Sequence, residues 1–505
     1  MVTLTTSISI VSTLTIGIMG CSWAAETPLS ANPVKPNVLI LLADDLGYGD
    51  LGCYGATHIK TPNIDRLATQ GMRFIDAHAP AATCQPSRYG LMTGRYYWRR
   101  KTVHNGFYFQ EGEATLPAVL HGSGYATACF GKWHLGLGDG SPVVWENEIK
   151  QGPLEAGFDH YFGTPYSLNE PPFVYMKDRR VVGADAADPI RMIPANQTVL
   201  GYGHGISLGG IKAHQARQAD QADLTITDAA TSYLRKQNAE KPFFLYLPFV
   251  SPHVPLAPSP RFQGTSQAGV YGDYVQQLDF CVGKVLDTLE ERGLAGNTLV
   301  VLTSDNGGCI NLSAQRLGHR SNGALLGQKT DGWDGGHRVP FIVRQPGVIP
   351  AGSTNDRLIS LTDIMATTLA ATGVSLPTGA APDSIDQTPV LRDPLAPAVR
   401  TEMVYQAVGG YVLRSGPWTY LPGRGSFGFT AHPTMPWQNW RDLGFVNSDF
   451  DADGKPRPAA SKEQLYDSTR DPDEAVNLWQ EYPEVARKLG ARLRELLPTE
   501  TPLMK

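Results

Sequence analysis

Short apolar runs, each followed by a polar loop, recur along most of the chain. They cover Asn37–Ala43, Tyr125–Phe130, Phe243–Leu247, Thr298–Thr303 and Pro340–Val343. Continuous apolar runs of this length are typical of strands that are buried on both faces of a parallel sheet. The pattern therefore predicts a mostly parallel β-sheet.

The segments between these runs carry a helical pattern. They include Thr61–Gln70, Thr115–Gly122, Ala222–Gln237 and Tyr271–Glu291. The last segment has an apolar stripe at the helical period, formed by Val275, Leu278, Val282, Val285 and Leu289. Strands that alternate with helices predict an α/β fold, in which helices sandwich a large, mixed, mostly parallel sheet.

The pattern changes towards the C-terminus. Residues 377–397 are rich in Ala, Pro and Asp, which is typical of a linker. Beyond them, Tyr411–Leu421 alternates apolar and polar residues as a hairpin does, and an amphipathic segment ends near Leu497. We therefore predict an α/β domain over residues 34–390 and a smaller α+β subdomain with an antiparallel sheet over residues 398–505.

Composition and charge narrow the class of protein. The chain has 505 residues, of which 42% are hydrophobic and 18% charged, as in a globular protein with a large core. The formal net charge of -5 gives no overall attraction to nucleic acid, and we expect no nucleic-acid partner. Five of the six cysteines lie beyond residue 25, and none stands at a spacing typical of zinc sites.

The first 25 residues contain no Asp, Glu, Lys or Arg, and Ile8–Met19 is an apolar run too short to span a bilayer comfortably. We interpret residues 1–25 as a signal peptide, so that the protein is exported and, in a bacterium, periplasmic, at the cell surface or extracellular. Ordinary cleavage near Ala24 is the preferred interpretation. The alternative is a lipobox ending at Cys21, whose lipidation would attach the protein to a membrane.

Polar side chains follow four of the apolar runs. They are Asp44, Asp45, Lys132, His134, His253, Asp305 and Asn306. In open α/β sheets ligands bind beyond the carboxyl ends of the strands, so we expect these side chains to converge. The acidic and amide oxygens of Asp44, Asp45, Asp305 and Asn306 suit Ca²⁺ or Mg²⁺, and calcium is preferred. An isolated Asp pair after a strand is more often a helix cap or a solvated turn.

The stretch Cys84-Gln85-Pro86-Ser87-Arg88 places a thiol, a proline and a guanidinium at the start of a predicted helix. Pro86 suits the first helical turn, where its missing N–H costs nothing. The N-terminus of a helix favours an anion, and Arg88 adds a charge whose fork matches two oxygens of an oxyanion. A lone Cys near a Pro is otherwise most often a small buried apolar residue.

Together with several other segments, this stretch resembles the type I formylglycine-dependent sulfatases of the alkaline phosphatase superfamily. The likeness runs from about Pro36 to Leu478 and is closest to the galactosamine-sulfatase and arylsulfatase-like branch. The matching segments, in chain order, are residues 36–38, 44–50, 61–67, 84–88, 93–95, 131–136, 157–159, 304–307, 327–329 and 335–340. The resemblance implies a sulfuric ester hydrolase.

The resemblance also implies how the nucleophile and the metal are supplied. A formylglycine-generating or equivalent maturation enzyme would oxidise Cys84 to formylglycine, whose hydrate attacks the sulfate ester. A single Ca²⁺ would be bound by an oxygen of the modified Cys84 and by four further side chains, Asp44, Asp45, Asp305 and Asn306.

The resemblance implies that the remaining site residues neutralise negative charge and transfer protons. Arg88, Lys132 and Lys329 would neutralise the ester, because attack on sulfur spreads negative charge over the sulfate oxygens. His253 would lie near the leaving-group oxygen. His134 would take a proton from the hydrate when the enzyme-bound sulfate is released.

The substrate is expected to be a sulfated poly- or oligosaccharide. The loops that would select it are residues 96–100, 104–105, 159–161, 201–214 and 423–451, which contain aromatic and basic side chains. The alternative is that these side chains are ordinary packing and surface groups. Asp334 stands where the family commonly has Glu, and we do not include it in the site. Three alternatives remain: an arylsulfatase acting on a non-carbohydrate ester, a phosphoesterase of the same superfamily, and a glycan-binding protein without activity if Cys84 stays unmodified.

Overall fold

The computed structural model describes residues 1–3, 35–100, 106–193, 206–430, 440–499 and 501–503. Lys35–Lys505 form one compact unit, which includes both the predicted α/β domain and the predicted C-terminal subdomain. Residues 4–25 of the predicted signal peptide, which include Cys21, and the loop residues His104 and Asn105 lie outside the described residues. In the part of the chain that is described, no helix has the length and apolar character needed to cross a membrane.

The strands of the described residues are, in chain order, β1 (Asn37–Asp44), β2 (Met72–Phe74), β3 (Ala77–His78), β4 (Ala126–Phe130), β5 (His160–Gly163), β6 (Met176–Lys177), β7 (Arg180–Val181), β8 (Arg191–Ile193), β9 (Ile206–Leu208), β10 (Phe243–Pro252), β11 (Thr298–Ser304), β12 (Phe341–Arg344), β13 (Ser353–Asn355), β14 (Ile359–Ser360), β15 (Glu402–Ala407), β16 (Gly410–Ser415), β17 (Trp418–Leu421) and β18 (Gln464–Asp467).

The α-helices of the same residues are α1 (Pro62–Gln70), α2 (Cys84–Thr93), α3 (Leu116–Gly122), α4 (Ile211–Ala216), α5 (Ala222–Leu234), α6 (Gly269–Glu291), α7 (Leu312–Arg316), α8 (Asp363–Ala371), α9 (Thr388–Arg392), α10 (Trp440–Leu443) and α11 (Pro483–Leu496).

A large mixed sheet forms the centre of the molecule, with the strand order β13-β2-β12-β11-β1-β10-β4-β5-β6-β7. Its five middle strands, β11, β1, β10, β4 and β5, are parallel to one another. The flanking pairs β11–β12 and β5–β6 are antiparallel. The predicted fold class is therefore confirmed, although the run at Pro340–Val343 forms the antiparallel strand β12.

Both faces of this sheet are covered by helices, as the continuous apolar runs predict. Along β1, Val38 and Ile40 belong to one core, whereas Leu39 and Leu41 belong to the other. The first core includes side chains of α2, α3 and α8, and the second includes those of α1, α5 and α6. The whole predicted apolar stripe of α6 is buried in the second core.

The C-terminal part contains the predicted antiparallel sheet, in the order β15-β16-β17-β18. On one face Leu413 and Tyr420 pack with Leu489 and Leu493 of α11. The side chains of the other face join Trp333, which lies between β11 and β12 in the chain. The small sheet is therefore fixed to the α/β part through an apolar interface.

Candidate active site

Four neighbouring strands of the central sheet deliver polar side chains to one edge. β11, β1, β10 and β4 lie side by side in parallel, so the residues that follow them meet at their carboxyl ends. β10 continues to Pro252, beyond the predicted Leu247, and so places His253 at that edge. Glycine at position 131 is required before Lys132, because a Cβ there would lie 1.8 Å from the carbonyl oxygen of Pro248.

Helix α2 begins at Cys84, as predicted, and directs its N-terminus at the same edge. The buried Ser87 hydroxyl donates a hydrogen bond of 2.9 Å to the carbonyl of Ala81, which fixes the first turn. The thiol Sγ of Cys84 is 3.5 Å from Oδ1 of Asp44 and 3.9 Å from Oδ1 of Asp45. Burial, followed by Asp305, raises the pKa of the Cys84 thiol well above its usual value.

Each buried carboxylate of the site has a cationic partner. Lys132 Nζ is 2.7 Å from Asp44 Oδ2, Lys329 Nζ is 2.8 Å from Asp45 Oδ1, and Arg88 contacts Asp305 Oδ2 at 2.8 Å. Burial opposes ionisation of Asp44, but Lys132, His253 and Arg88 together hold its pKa well below the usual range. Asp44 therefore stays charged inside the protein.

The chain also fixes the loop that carries Lys329. The main-chain N–H of Lys329 donates to the carbonyl of Gly308 at 3.1 Å, and the N–H of Thr330 donates to the carbonyl of Ala82 at 2.7 Å. Gly308 follows β11 and Ala82 precedes α2, so this loop bridges two elements that carry predicted site residues. Burial would lower the pKa of Lys329, but Asp45 raises it well above its usual value.

The oxygen atoms predicted to bind metal fit a hard cation. The carboxylate oxygens of Asp44 and Asp45 lie in one buried group with Cys84 and His253, whose potential ligand atoms are all within 4.8 Å of one another. Nδ2 of Asn306 donates to Asp45 Oδ1 at 2.8 Å, whereas Oδ1 of Asn306 is buried without a hydrogen-bond partner. A buried amide oxygen of this kind is suited to a calcium ion.

Two histidines lie beside this group with different partners. His253 Nδ1 donates to the carbonyl of Val254 at 2.6 Å, and its Nε2 is 3.6 Å from Asp45 Oδ2. Burial and then Lys329 lower the pKa of His253. His134 Nε2 is 3.2 Å from Oε2 of Glu170. Burial and then Lys132 lower the pKa of His134 to about 4, so this imidazole is neutral at neutral pH.

The structure thus brings together all ten residues predicted from the sequence. It adds Glu170, which sequence reasoning missed because a single carboxylate in the loop after β5 carries no motif or periodic signal. Of the predicted substrate loops, residues 96–100 approach the site through Arg100. Its guanidinium is 4.2 Å from the ring centroid of Tyr108, whose hydroxyl donates to Oε1 of Gln85 at 3.0 Å, next to Cys84.

In two other predicted substrate loops, one residue each has a structural contact instead. Asp159 accepts a hydrogen bond from the N–H of Thr127 at 2.9 Å, at the amino end of β4 and therefore on the opposite edge of the sheet. Trp440 is buried against Trp333 with ring centroids 5.9 Å apart, so it serves packing. Residues 201–205 and Trp437 lie outside the described residues.

Asp334 lies in a separate buried network. Its Oδ2 accepts two hydrogen bonds from Arg338, and its N–H donates to Glu474 Oε2 at 2.8 Å. Arg338 also contacts Asp76 Oδ1 at 2.7 Å. Glu474 belongs to the C-terminal part, so Asp334 connects this part to the α/β sheet, and its exclusion from the predicted site agrees with this position.

Replacing Asp334 by alanine should lower the free energy of unfolding by about 3 kcal/mol, because the buried Arg338 then loses one of its two carboxylate partners. The measurement is urea unfolding, with Asp356→Ala as control. Asp356 is 67% exposed beside Arg357, and losing such a surface pair costs about 1 kcal/mol or less. Equal stability of both variants, or a raised KM with unchanged stability for Asp334→Ala, would contradict the structural role.

Comparisons with known proteins identify sulfatases as relatives of this chain. A sequence model of the family described as Sulfatase matches residues 36–374. The N-acetylgalactosamine-6-O-sulfatase of Bacteroides thetaiotaomicron is 34% identical, with 95% of this chain and 96% of that protein covered. Human arylsulfatase D is 32% identical, with 94% of this chain and 89% of that protein covered.

A solved structure shows the same likeness in three dimensions. It comes from work on the metabolism of multiple glycosaminoglycans by Bacteroides thetaiotaomicron. Its TM-score to this chain is 0.79 at 33% sequence identity, covering 92% of this chain and 99% of that one. The likeness therefore includes both the central sheet and the C-terminal part.

Proposed function

Because this chain belongs to the sulfatase family and is a sulfuric ester hydrolase, we propose that it releases sulfate from a sulfated sugar. The 6-sulfate of N-acetylgalactosamine is the first substrate to test, since a 34% identical relative carries that activity in its name. The observation that carries the proposal is the position of Cys84. It lies at a helix N-terminus between Asp44 and Asp45, within a group that also contains two lysines and an arginine.

We assign the nucleophile to residue 84 after its conversion to formylglycine by a maturation enzyme that removes the sulfur and oxidises the β-carbon. The unmodified thiol is buried, and its raised pKa keeps it protonated at neutral pH. The hydrated aldehyde offers two hydroxyl groups. One loses its proton to solvent and attacks sulfur as the oxyanion, and the other is deprotonated later.

Arg88, Lys132 and Lys329 are assigned to the sulfate oxygens. All three side chains are cationic and positioned by carboxylates, so they stabilise charge that develops on the ester without reorganising. Asp44, Asp45, Asp305 and Asn306 would hold Ca²⁺, which would supply further positive charge next to the sulfate when bound.

Proton donation to the leaving alkoxide is assigned to His253. Its Nδ1–H is fixed on the carbonyl of Val254, and its Nε2 faces Asp45 and the site. The donor is therefore the imidazolium form, which carries a second proton on Nε2. Lys132 and Lys329 are the alternative donors, but each holds a carboxylate at less than 3 Å. The departing sugar oxygen takes the proton as the S–O bond breaks.

His134 is assigned to the second half of the reaction. It removes the proton from the remaining hydroxyl at residue 84, the carbon–oxygen bond to sulfate breaks, and sulfate leaves as the aldehyde re-forms. Water then adds to the aldehyde and restores the hydrate. No oxidant is consumed in this cycle, so conversion of Cys84 is needed only once per molecule.

His253→Ala should lower kcat/KM for a sugar sulfate by about 10²- to 10³-fold, because a sugar alkoxide is a poor leaving group without a proton. The rate with 4-nitrophenyl sulfate should fall by no more than about tenfold, since the nitrophenolate leaves unaided. Steady-state kinetics of both substrates measures the difference. An equal loss of kcat/KM with the two esters would show that another group donates the proton to the leaving oxygen.

The proposal is tested by measuring sulfate release from N-acetylgalactosamine 6-sulfate, sulfated oligosaccharides, an aryl sulfate and a phosphate monoester. Release from the sugars supports the assignment. Turnover of the aryl ester alone would favour the non-carbohydrate alternative, and faster phosphate release would favour a phosphoesterase.

We further propose that the protein is exported, on the basis of the uncharged, apolar first 25 residues. Cell fractionation and mass spectrometry of the mature N-terminus test this. A chain that begins after Ala24 supports ordinary cleavage, a lipidated Cys21 supports membrane attachment, and an intact Met1 in the cytoplasm contradicts export.

A further inference from the structure

Glu170 is a carboxylate beside the candidate site to which the preceding assignments give no role. Its Oε2 lies 3.2 Å from Nε2 of His134, and its side chain is 30% exposed. The other ring nitrogen of His134, Nδ1, is buried and has no hydrogen-bond partner. His134 is therefore held at one nitrogen, while the other makes no hydrogen bond.

These contacts determine which nitrogen carries the proton. Burial alone would raise the pKa of Glu170, but the hydrogen bond to His134 and the nearby charges hold it well below its usual value. An ionised carboxylate can only accept a hydrogen bond, so the proton of the neutral imidazole lies on Nε2. Nδ1 then has a free lone pair and is the nitrogen able to take a proton.

The main chain holds the two residues in this arrangement. The N–H groups of Trp133 and His134 donate to the carbonyls of Thr164 and Pro165, each at 3.0 Å. The N–H of Glu170 donates to the carbonyl of Ser167 at 3.0 Å, which closes a turn in the same loop. The contact is thus built by two anchored loops rather than by two mobile surface side chains.

The backbone of His134 also indicates a functional constraint. Its φ of 56° lies in the left-handed region, which is unfavourable for a residue with a Cβ. Such a conformation persists where the surrounding structure requires it, and here it accompanies an imidazole that is 6% exposed. A purely structural histidine would not need an unpartnered buried nitrogen, which costs free energy.

We propose that Glu170 is a positioning residue for His134: it fixes the Nε2–H tautomer, so that Nδ1 is the base for release of enzyme-bound sulfate. The inference rests on the proposed function for the release step, but its tautomer part does not. Nδ1 accepts the proton of the second hydroxyl at residue 84 as sulfate leaves. Glu170 stabilises the imidazolium formed and itself stays ionised.

The tautomer is tested without turnover, in unconverted and calcium-free protein labelled with ¹⁵N-histidine. The ring resonances of His134 are assigned by their absence in His134→Gln. We expect protonation at Nε2 in the parent chain and in Glu170→Gln, whose amide oxygen accepts the same hydrogen bond. In Glu170→Ala a mixture of tautomers is expected. A proton on Nδ1 in the parent chain would overturn the proposal even if the protein is a sulfatase.

The release step is tested with converted protein and 4-nitrophenyl sulfate. Glu170→Ala should lower kcat by about 10²-fold. It should also give a burst of one nitrophenolate per converted site, with the sulfo group found on the peptide of residue 84 by mass spectrometry. Glu170→Gln should retain kcat within about tenfold, because it keeps the position of the ring and loses only the charge.

Glu155→Ala is the matched control, since Glu155 is 28% exposed and pairs with Arg179 on the surface. It should leave kcat and the burst unchanged. If Glu170→Ala turns over slowly but shows neither a burst nor a retained sulfo group, the release step is not affected, and the proposal is overturned. No turnover by the converted parent enzyme would instead refute the proposed function, while the tautomer measurement still decides the role of Glu170.

Discussion

Cys84→Ala should lose sulfate release by a factor on the order of 10⁵ to 10⁶, the largest effect expected for any single substitution in this chain. Alanine cannot be converted to an aldehyde, so neither hydroxyl of the hydrate can form. The cations that surround residue 84 remain paired with their carboxylates, and the thiol contributes no charge at neutral pH. Stability should therefore change little, and the loss should be in kcat.

Cys84→Ser separates the two halves of the reaction. A serine hydroxyl can attack sulfur once, but it has no second hydroxyl whose deprotonation expels sulfate. Serine should thus turn over at most once and keep the sulfo group. Cys53→Ser serves as control because Cys53 lies outside the group of potential metal ligands around Cys84. Rapid repeated turnover by Cys84→Ala or Cys84→Ser would remove residue 84 from the mechanism.

Removal of Ca²⁺ should lower activity by about 10²-fold or more, since a bound cation contributes several kcal/mol to stabilising charge on the reacting ester. Activity should return with added Ca²⁺. The unfolding temperature should also rise by a few degrees at saturating Ca²⁺, because a ligand that binds only the folded chain stabilises it. Mg²⁺ should be less effective, since it demands a stricter octahedral geometry.

Asn306→Ala is the sharpest variant for this test. It removes the unpartnered amide oxygen but no charge, so the ion pairs of Asp44, Asp45 and Asp305 stay intact. We expect the Ca²⁺ concentration for half-maximal activity to rise by at least about tenfold. Full activity in chelator, or an unchanged Ca²⁺ requirement in Asn306→Ala, would contradict the metal assignment.

Much of the fold could be predicted because each buried strand is a continuous apolar run. The sequence predicts β1 over Asn37–Ala43, and the strand extends over Asn37–Asp44. The apolar stripe of α6 faces the core, as its helical period predicts. The direction of β12 could not be predicted. An apolar run has the same pattern whether the strand is parallel or antiparallel to its neighbours. The direction of β12 is determined only by its pairing with β11 and β2.

The candidate site was predictable where a polar residue directly follows a buried strand or begins a helix. Asp44, Lys132 and Asp305 are of this kind, and the parallel strands bring them together. The contact between Glu170 and His134 was not predictable, because it depends on how the loops after β4 and β5 pack. Asp159 shows the converse error: a residue in a family-like segment lies on the opposite edge of the sheet, where it caps the start of β4.

The central claim is that converted residue 84 performs sulfate-ester hydrolysis. It is tested most directly by preparing the protein with graded amounts of a formylglycine-generating enzyme and measuring two quantities on each preparation. Peptide mass spectrometry gives the converted fraction of residue 84, and sulfate release from N-acetylgalactosamine 6-sulfate and related oligosaccharides gives the activity. We predict that activity rises in proportion to conversion and extrapolates to zero without it. Full conversion without release from any sulfated sugar or aryl ester, or equal activity at every degree of conversion, would contradict the claim.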